Sequence, residues 1–270
     1  MPGTPAFSFL AAPLLLLAAC GSEASGPANG SAPAAELREA APRALRLKAA
    51  DGVVVHAAHY PAERAKAVIL LFHQANGSAA EYAGIAPRLA AAGFESLAID
   101  QRSGGELFGP NRTVAGQRRS ADFLAAEPDL EAALTWAQRR GRPVVIWGSS
   151  YSAALVFLLA ARHPDAIAAL IAFSPGEYLA TPNAVRDAAR QVQIPIFVAA
   201  ASDPQEQSAA RAILVDAPSA IETAFLPATA GIHGSSTLNA QRNPNGAEAA
   251  WAAVTEFLAR LPLPPPPSAS

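Results

Sequence analysis

The sequence predicts an α/β domain: a mostly parallel, doubly wound sheet with helices on both faces. Three observations carry this expectation. Short β-rich apolar runs alternate with Ala-rich helical stretches along most of the chain. The 270 residues are 51% hydrophobic and only 16% charged, enough apolar material to bury a sizeable core. No period of about 20 to 50 residues recurs, so a solenoid or propeller is not indicated.

Taken in order, Val53-Val54-Val55 opens a strand after the Asp51-Gly52 turn signal. Val68–Phe72 is the continuous apolar run expected of a buried parallel strand. Phe94–Ile99, Pro143–Trp147, Ile167–Phe173, Ile194–Ala199 and Ile221–Leu226 read as further strands. Helices are expected over Ala79–Ala92, Asp129–Arg140, Tyr151–Arg162, Gln205–Asp216 and Ala247–Leu261. Strands repeatedly followed by helices imply right-handed crossovers. Functional groups should then gather at the carboxyl ends of the strands.

The folded domain is thus expected over residues 43–261. Residues 1–19 carry no charged side chain, and Phe7–Ala19 is almost wholly apolar. That run is too short, and too interrupted by Pro13, for the roughly 20 apolar residues of a membrane span, but it suits a secretory signal. It ends in Leu17-Ala18-Ala19-Cys20-Gly21, which resembles the lipobox of bacterial lipoproteins. The resemblance implies an acylated Cys20, a lipid-anchored chain, and a place in the bacterial cell envelope facing the periplasm or the outside. Residues 20–42 read as a flexible Gly/Ser/Ala/Pro tether, and 262–270, with Pro264–Pro267, as an extended tail.

Charge and cysteine usage exclude several function classes. The 20 basic and 22 acidic residues give a net charge of −2 without a basic block, which argues against nucleic acid as a partner. A single Cys forbids an internal disulfide or a thiolate-cage metal site. His56 and His59 are three apart in a strand and face opposite ways, and His163 ends a helix where a cation meets the dipole. No metal is expected.

The strongest chemical signal is Val144-Val145-Ile146-Trp147-Gly148-Ser149-Ser150-Tyr151-Ser152-Ala153-Ala154, a buried strand turning directly into a helix with small residues around one serine. It resembles the G-x-S-x-G nucleophile elbow of the α/β-hydrolase family, with Ser152 where that family usually has Gly. A serine hydroxyl is a weak nucleophile that needs an imidazole base, itself oriented by a carboxylate. The family's chain order is serine, acid, histidine. That order selects Ser150, then Asp203 just past the strand Ile194–Ala199, then His233 in the loop before the last helix. Glu177 is the alternative acid, one strand earlier. Asp216 and Glu222 flank the wrong edge of the sheet.

Acyl transfer also needs donors for the developing oxyanion. The family supplies one from the N–H after the nucleophile, here Tyr151. The other comes from the loop after the strand Val68–Phe72, here His73-Gln74-Ala75-Asn76-Gly77-Ser78. By that correspondence Ala75 donates, with Gln74 as the alternate, and His73 braces the loop. Together with Ala98-Ile99-Asp100-Gln101-Arg102-Ser103-Gly104, whose Asp-x-Arg reads as a loop-bracing ion pair, the chain resembles the dienelactone-hydrolase-like members of the α/β-hydrolases. The resemblance implies the α/β-hydrolase fold, a small-molecule ester substrate and no cofactor. The founding enzymes use Cys as nucleophile, so Ser150 points to general ester hydrolysis instead. Rival readings are a prolyl-oligopeptidase-like peptidase and a non-catalytic lipoprotein that retains the fold. Only Ser174–Gln193 is available for a cap, so an open pocket is expected, bordered by Tyr151, Tyr178 and the segment Phe108–Arg112, with Tyr178 and Asn111 contacting substrate.

Overall fold

The computed structural model describes residues 41–215 and 217–264. Cys20, nearly all of the expected tether and the end of the Pro-rich tail lie outside them. Among the described residues eight strands form one sheet: β1 (Arg43–Lys48), β2 (Val54–Tyr60), β3 (Val68–Phe72), β4 (Glu95–Ile99), β5 (Val144–Ser149), β6 (Ala169–Phe173), β7 (Ile196–Ala199) and β8 (Glu222–Phe225). Their spatial order is β1-β2-β4-β3-β5-β6-β7-β8. β2 is antiparallel to both of its neighbours. The remaining pairs, from β4 to β8, are parallel.

Among the described residues the α-helices are α1 (Ala86–Ala91), α2 (Arg112–Gln117), α3 (Glu127–Gln138), α4 (Tyr151–Arg162), α5 (Ala184–Ala189), α6 (Pro204–Leu214) and α7 (Ala247–Arg260). They cover both faces of the sheet. Leu70, Phe72, Ile99 and Ile146 pack on one face beneath Leu130 of α3, Leu155 and Phe157 of α4, Val185 of α5 and Ile213 of α6. The alternate residues Ile69, Leu71, Trp147, Phe173 and Phe197 meet Leu89 of α1 and Trp251, Val254 and Phe257 of α7 on the other. This two-faced burial explains why β3 is apolar at every position: all five of its side chains are fully buried. Each large one stabilises by about 1.5–3 kcal/mol. Trp147 and Phe173 stack across β5 and β6 with centroids 4.9 Å apart.

Three elements differ from expectation. β1 was not anticipated, because Arg43, Arg46 and Lys48 alternate with Leu45 and Leu47 on a charged edge strand. The expected helix over 79–92 is a 3₁₀ turn, Ala79–Tyr82, followed by the short α1, which begins around Pro87, a residue without an N–H. The segment expected to border the pocket supplies the start of α2. Between β6 and β7 lies a loop carrying one short helix, α5, so the cap is minimal.

Candidate active site

The carboxyl ends of β5, β6, β7 and β8 deliver the site. Ser150 follows β5 with φ 58° and ψ −122°, the strained backbone of a sharp strand-to-helix turn. The turn is held by its own N–H, which donates to the Phe173 carbonyl at 2.8 Å. Gly148 is obligatory here, since a Cβ would collide with the Ser152 carbonyl. Ser152, by contrast, is tolerated and used. Its hydroxyl donates to the His73 carbonyl at 2.5 Å and accepts from Gln101 Nε2 at 2.9 Å, tying the turn to the loop after β3.

His233 stands between Ser150 and a carboxylate. Its Nε2 lies 2.8 Å from Ser150 Oγ, and its Nδ1 lies 2.7 Å from Glu206 Oε1. The carboxylate that the structure brings to His233 is therefore that of Glu206, not the expected Asp203. Asp203 is the N-cap of α6, its Oδ1 accepting from the N–H groups of Gln205 at 2.9 Å and Glu206 at 3.0 Å. Asp-Pro at a helix start is a capping signal, with Pro204 at the first helical position. The residue three after the cap, Glu206, projects from the first turn back to the rim, where its Oε2 also accepts from Ala201 N–H at 3.2 Å. The alternative acid Glu177 is likewise committed, accepting from Val185 and Arg186 N–H at the start of α5.

Burial opposes the charge on Glu206, but hydrogen bonds from His233 and Ser174 outweigh it and hold the carboxyl below its ordinary range. The hydrogen bond to Glu206 raises the His233 pKa against desolvation, and the charges of Glu206 and Glu81 add to the rise. Ser174, which sequence reasoning missed, has φ 52° and also accepts from Gly234 N–H at 2.9 Å, fixing the histidine loop.

In the loop after β3 the two donor candidates differ in their bonding. Gln74 N–H donates to Glu81 Oε2 at 2.8 Å and is unavailable. Among the described residues no acceptor is found for the N–H groups of Ala75 or Tyr151. His73 is fully buried: its Nε2 accepts from Gln101 N–H at 3.0 Å, so its Nδ1–H must donate to the Gln74 carbonyl at 2.8 Å. Burial lowers its pKa to about 4, and the ring is a neutral brace. The Asp-x-Arg stretch braces as expected: Asp100 accepts from Ala79 and Arg112 N–H, and Arg102 pairs with Asp51 and Asp129.

Tyr178 is exposed and stands near the nucleophile, its hydroxyl donating to the Ser174 carbonyl at 3.0 Å. Burial raises its pKa, and the Ser150 hydroxyl beside it opposes the rise. Asn111 does not face the site. It is 2% exposed, caps α2 by accepting from Val114 N–H at 2.8 Å and donates to the Gln101 carbonyl at 2.9 Å. Its place as an N-cap before Arg112-Thr113-Val114 explains the error. The buried phenol of Tyr151 bonds Gln101 and Ser103, and its ring stacks on Phe123 at 4.3 Å, so the side chain holds the turn while its N–H faces outward from the helix start. A hydroxyl, an imidazole, a carboxylate and two N–H groups without an acceptor among the described residues, gathered at one rim, can perform nucleophilic acyl transfer.

Solved structures share this fold at low sequence identity. A dienelactone hydrolase from Anabaena variabilis is 15% identical over 82% of this chain and 97% of its own, with a TM-score of 0.63. An esterase from Pyrococcus furiosus is 16% identical over 82% and 92%, with a TM-score of 0.60. A soluble variant of monoglyceride lipase from Saccharomyces cerevisiae, solved with a substrate analogue, is 14% identical over 83% and 96%, with a TM-score of 0.63. No curated protein matches the chain. The family described as serine aminopeptidase, S33, matches residues 63–207, a span holding the braced loop after β3, the strained serine turn and Glu206. The chain belongs to that family of α/β-fold serine hydrolases.

Proposed function

We propose that the protein is a serine esterase that cleaves carboxylic esters through an acyl-enzyme on Ser150. The observation that carries this reading is His233 bridging Ser150 Oγ at 2.8 Å and Glu206 at 2.7 Å. As Ser150 Oγ bonds to the ester carbonyl carbon, its proton passes to His233 Nε2. The Tyr151 and Ala75 N–H groups hold the oxyanion, and Glu206 fixes the imidazole tautomer and stabilises its cation. His233 then protonates the departing alcohol oxygen, the C–O bond breaks and the acyl group stays on Ser150. Water, deprotonated by His233, releases the acid and restores the serine.

The names of the structural neighbours, two of them an esterase and a lipase, favour esters. The family name raises an aminopeptidase as the alternative, and Glu177, an acid on the short cap, spends its carboxylate on the start of α5. A fluorophosphonate probe should label wild-type protein, and nitrophenyl esters should turn over far faster than aminoacyl amides. Faster amide turnover would overturn the ester assignment. With so small a cap the acyl chain is little enclosed. At about 0.8 kcal/mol per buried methylene, kcat/KM should not climb with acyl length as it would in a deep channel.

The reading includes a lipid anchor on Cys20, supported by Leu17-Ala18-Ala19-Cys20-Gly21 and the tether that follows. Cys20→Ser should leave the detergent phase on partitioning. Retention there would contradict lipidation.

A further inference from the structure

Glu81 lies on the 3₁₀ turn after β3, 8% exposed, and takes no part in the chemistry above. Its Oε2 accepts from Gln74 N–H at 2.8 Å, next to the Ala75 donor. Its Oε1 accepts from the Ser149 hydroxyl at 2.7 Å, next to the nucleophile. Ser149 Oγ in turn accepts from Ser235 N–H at 2.9 Å, two residues past His233. The three segments touch: Gly234 has φ 67°, and a Cβ there would lie 2.6 Å from Ser149 Oγ and 2.7 Å from Gln74 Oε1. One buried carboxylate therefore links the donor loop, the serine turn and the histidine loop.

We propose that Glu81 is a positioning residue for the Ser150 chemistry, its ionised carboxylate joining these three segments so that the site is fully assembled only when Glu81 is deprotonated. The inference rests on the reading of Ser150 as the nucleophile. An ionised carboxylate only accepts, and both of its partners donate. Protonation of Oε2 sets a donor against the Gln74 N–H and breaks that link, whereas protonation of Oε1 forces the Ser149 hydroxyl to turn from donor to acceptor and rearrange its bonds. On its other side Glu81 borders a cavity of about 400 Å³ that is also lined by Arg88, Leu238, Gln241 and Trp251, which gives the proton a way in and out.

Burial pushes Glu81 up to about 7, against the hydrogen bonds from Gln74 and Ser149 and the charges of His233 and Arg242. The other titratable groups around it are Tyr82 and Tyr151, His73 and Asp100 at the ends of β3 and β4, and Arg88 on α1. Because the folded value lies above the ordinary carboxyl value, the stability that Glu81 contributes is present in acid and is lost as pH rises through about 7. Ionisation thus costs stability in the range where it assembles the site, as strained functional sites do.

The test is the pH dependence of ester kcat/KM, and of fluorophosphonate inactivation, in wild type, Glu81→Gln and Ser149→Ala. The wild-type acid limb should be steeper than one proton allows. Glu81→Gln should lower kcat by roughly ten- to a hundredfold with KM little changed. Its limb should become single-proton and move to lower pH, because His233 loses a neighbouring negative charge. Ser149→Ala should move the limb to higher pH, because the carboxylate loses a donor. Ser149→Ala removes a single hydroxyl and carries the test if Glu81→Gln does not fold. Limbs of unchanged position and slope, with or without a uniform loss of activity, would overturn the proposal. Wild type that resists fluorophosphonate altogether would overturn the nucleophile reading, and this inference would fall with it.

Discussion

Two histidines follow strand ends on the same rim, His73 directly after β3 and His233 in the loop after β8, and the fold gives them opposite surroundings. His73 is fully buried, with both ring nitrogens bonded to backbone, and is held neutral with a pKa of about 4. His233 is partly exposed, bonded to a hydroxyl on one side and a carboxylate on the other, and its pKa is raised. The residue type is the same, so what separates a brace from a base is the partner set and access to solvent. The first cannot take a proton without losing a backbone bond; the second, in the proposed mechanism, takes one and gives it back.

Removing each side of that contrast should give very different losses. Ser150→Ala and His233→Ala should each lower ester kcat by about 10³-fold or more, and the double variant should lose little beyond either single one. Additive losses would show that the groups do not act as a unit. For the proposed mechanism, kcat/KM should fall as pH drops through the raised His233 value, since only the neutral imidazole accepts the serine proton.

The two rings should also respond oppositely to acid in stability measurements. The lowered value of His73 means that its contribution is complete above the unfolded histidine pKa and is lost as pH falls towards about 4. The raised value of His233 means that its contribution is present below the unfolded pKa and is lost as pH rises through the folded one. Acid unfolding followed by circular dichroism should therefore begin at lower pH in His73→Asn than in wild type once their neutral-pH stabilities are matched with denaturant. An unchanged acid midpoint would remove His73 as an acid-sensitive brace. The smallest expected effect is at Ser152, whose hydroxyl links the turn to the His73 carbonyl. Ser152→Ala should cost about 1 kcal/mol in chemical denaturation and leave kcat within a few-fold.

Much of this was legible in the sequence because it rests on local pattern. The apolar strands, α4 from Tyr151 to Arg162, and the rim positions of Ser150 and His233 follow from runs and turns of a few residues. The acid was not, because chain order and strand-end position both pointed to Asp203, and only its cap geometry shows that its carboxylate is spent. Asp203-Pro204-Gln205-Glu206 carried the missed signal, a helix start with an acid on its first turn. Asn111 was misread for the same reason, a polar residue near the site that turns out to cap a helix. Ser174 and Glu81 were out of reach, since their roles arise from contacts between segments tens of residues apart.

In the proposed mechanism Ser150, His233 and Glu206 form one chemical unit while the neighbouring Asp203 only caps a helix. The direct measurement is ester kcat/KM for Glu206→Gln beside Asp203→Asn, with both folds verified. Glu206→Gln should lose about 10³-fold or more. Asp203→Asn, which keeps a good capping side chain, should stay within about tenfold. A large loss in Asp203→Asn with near-normal activity in Glu206→Gln would contradict the account.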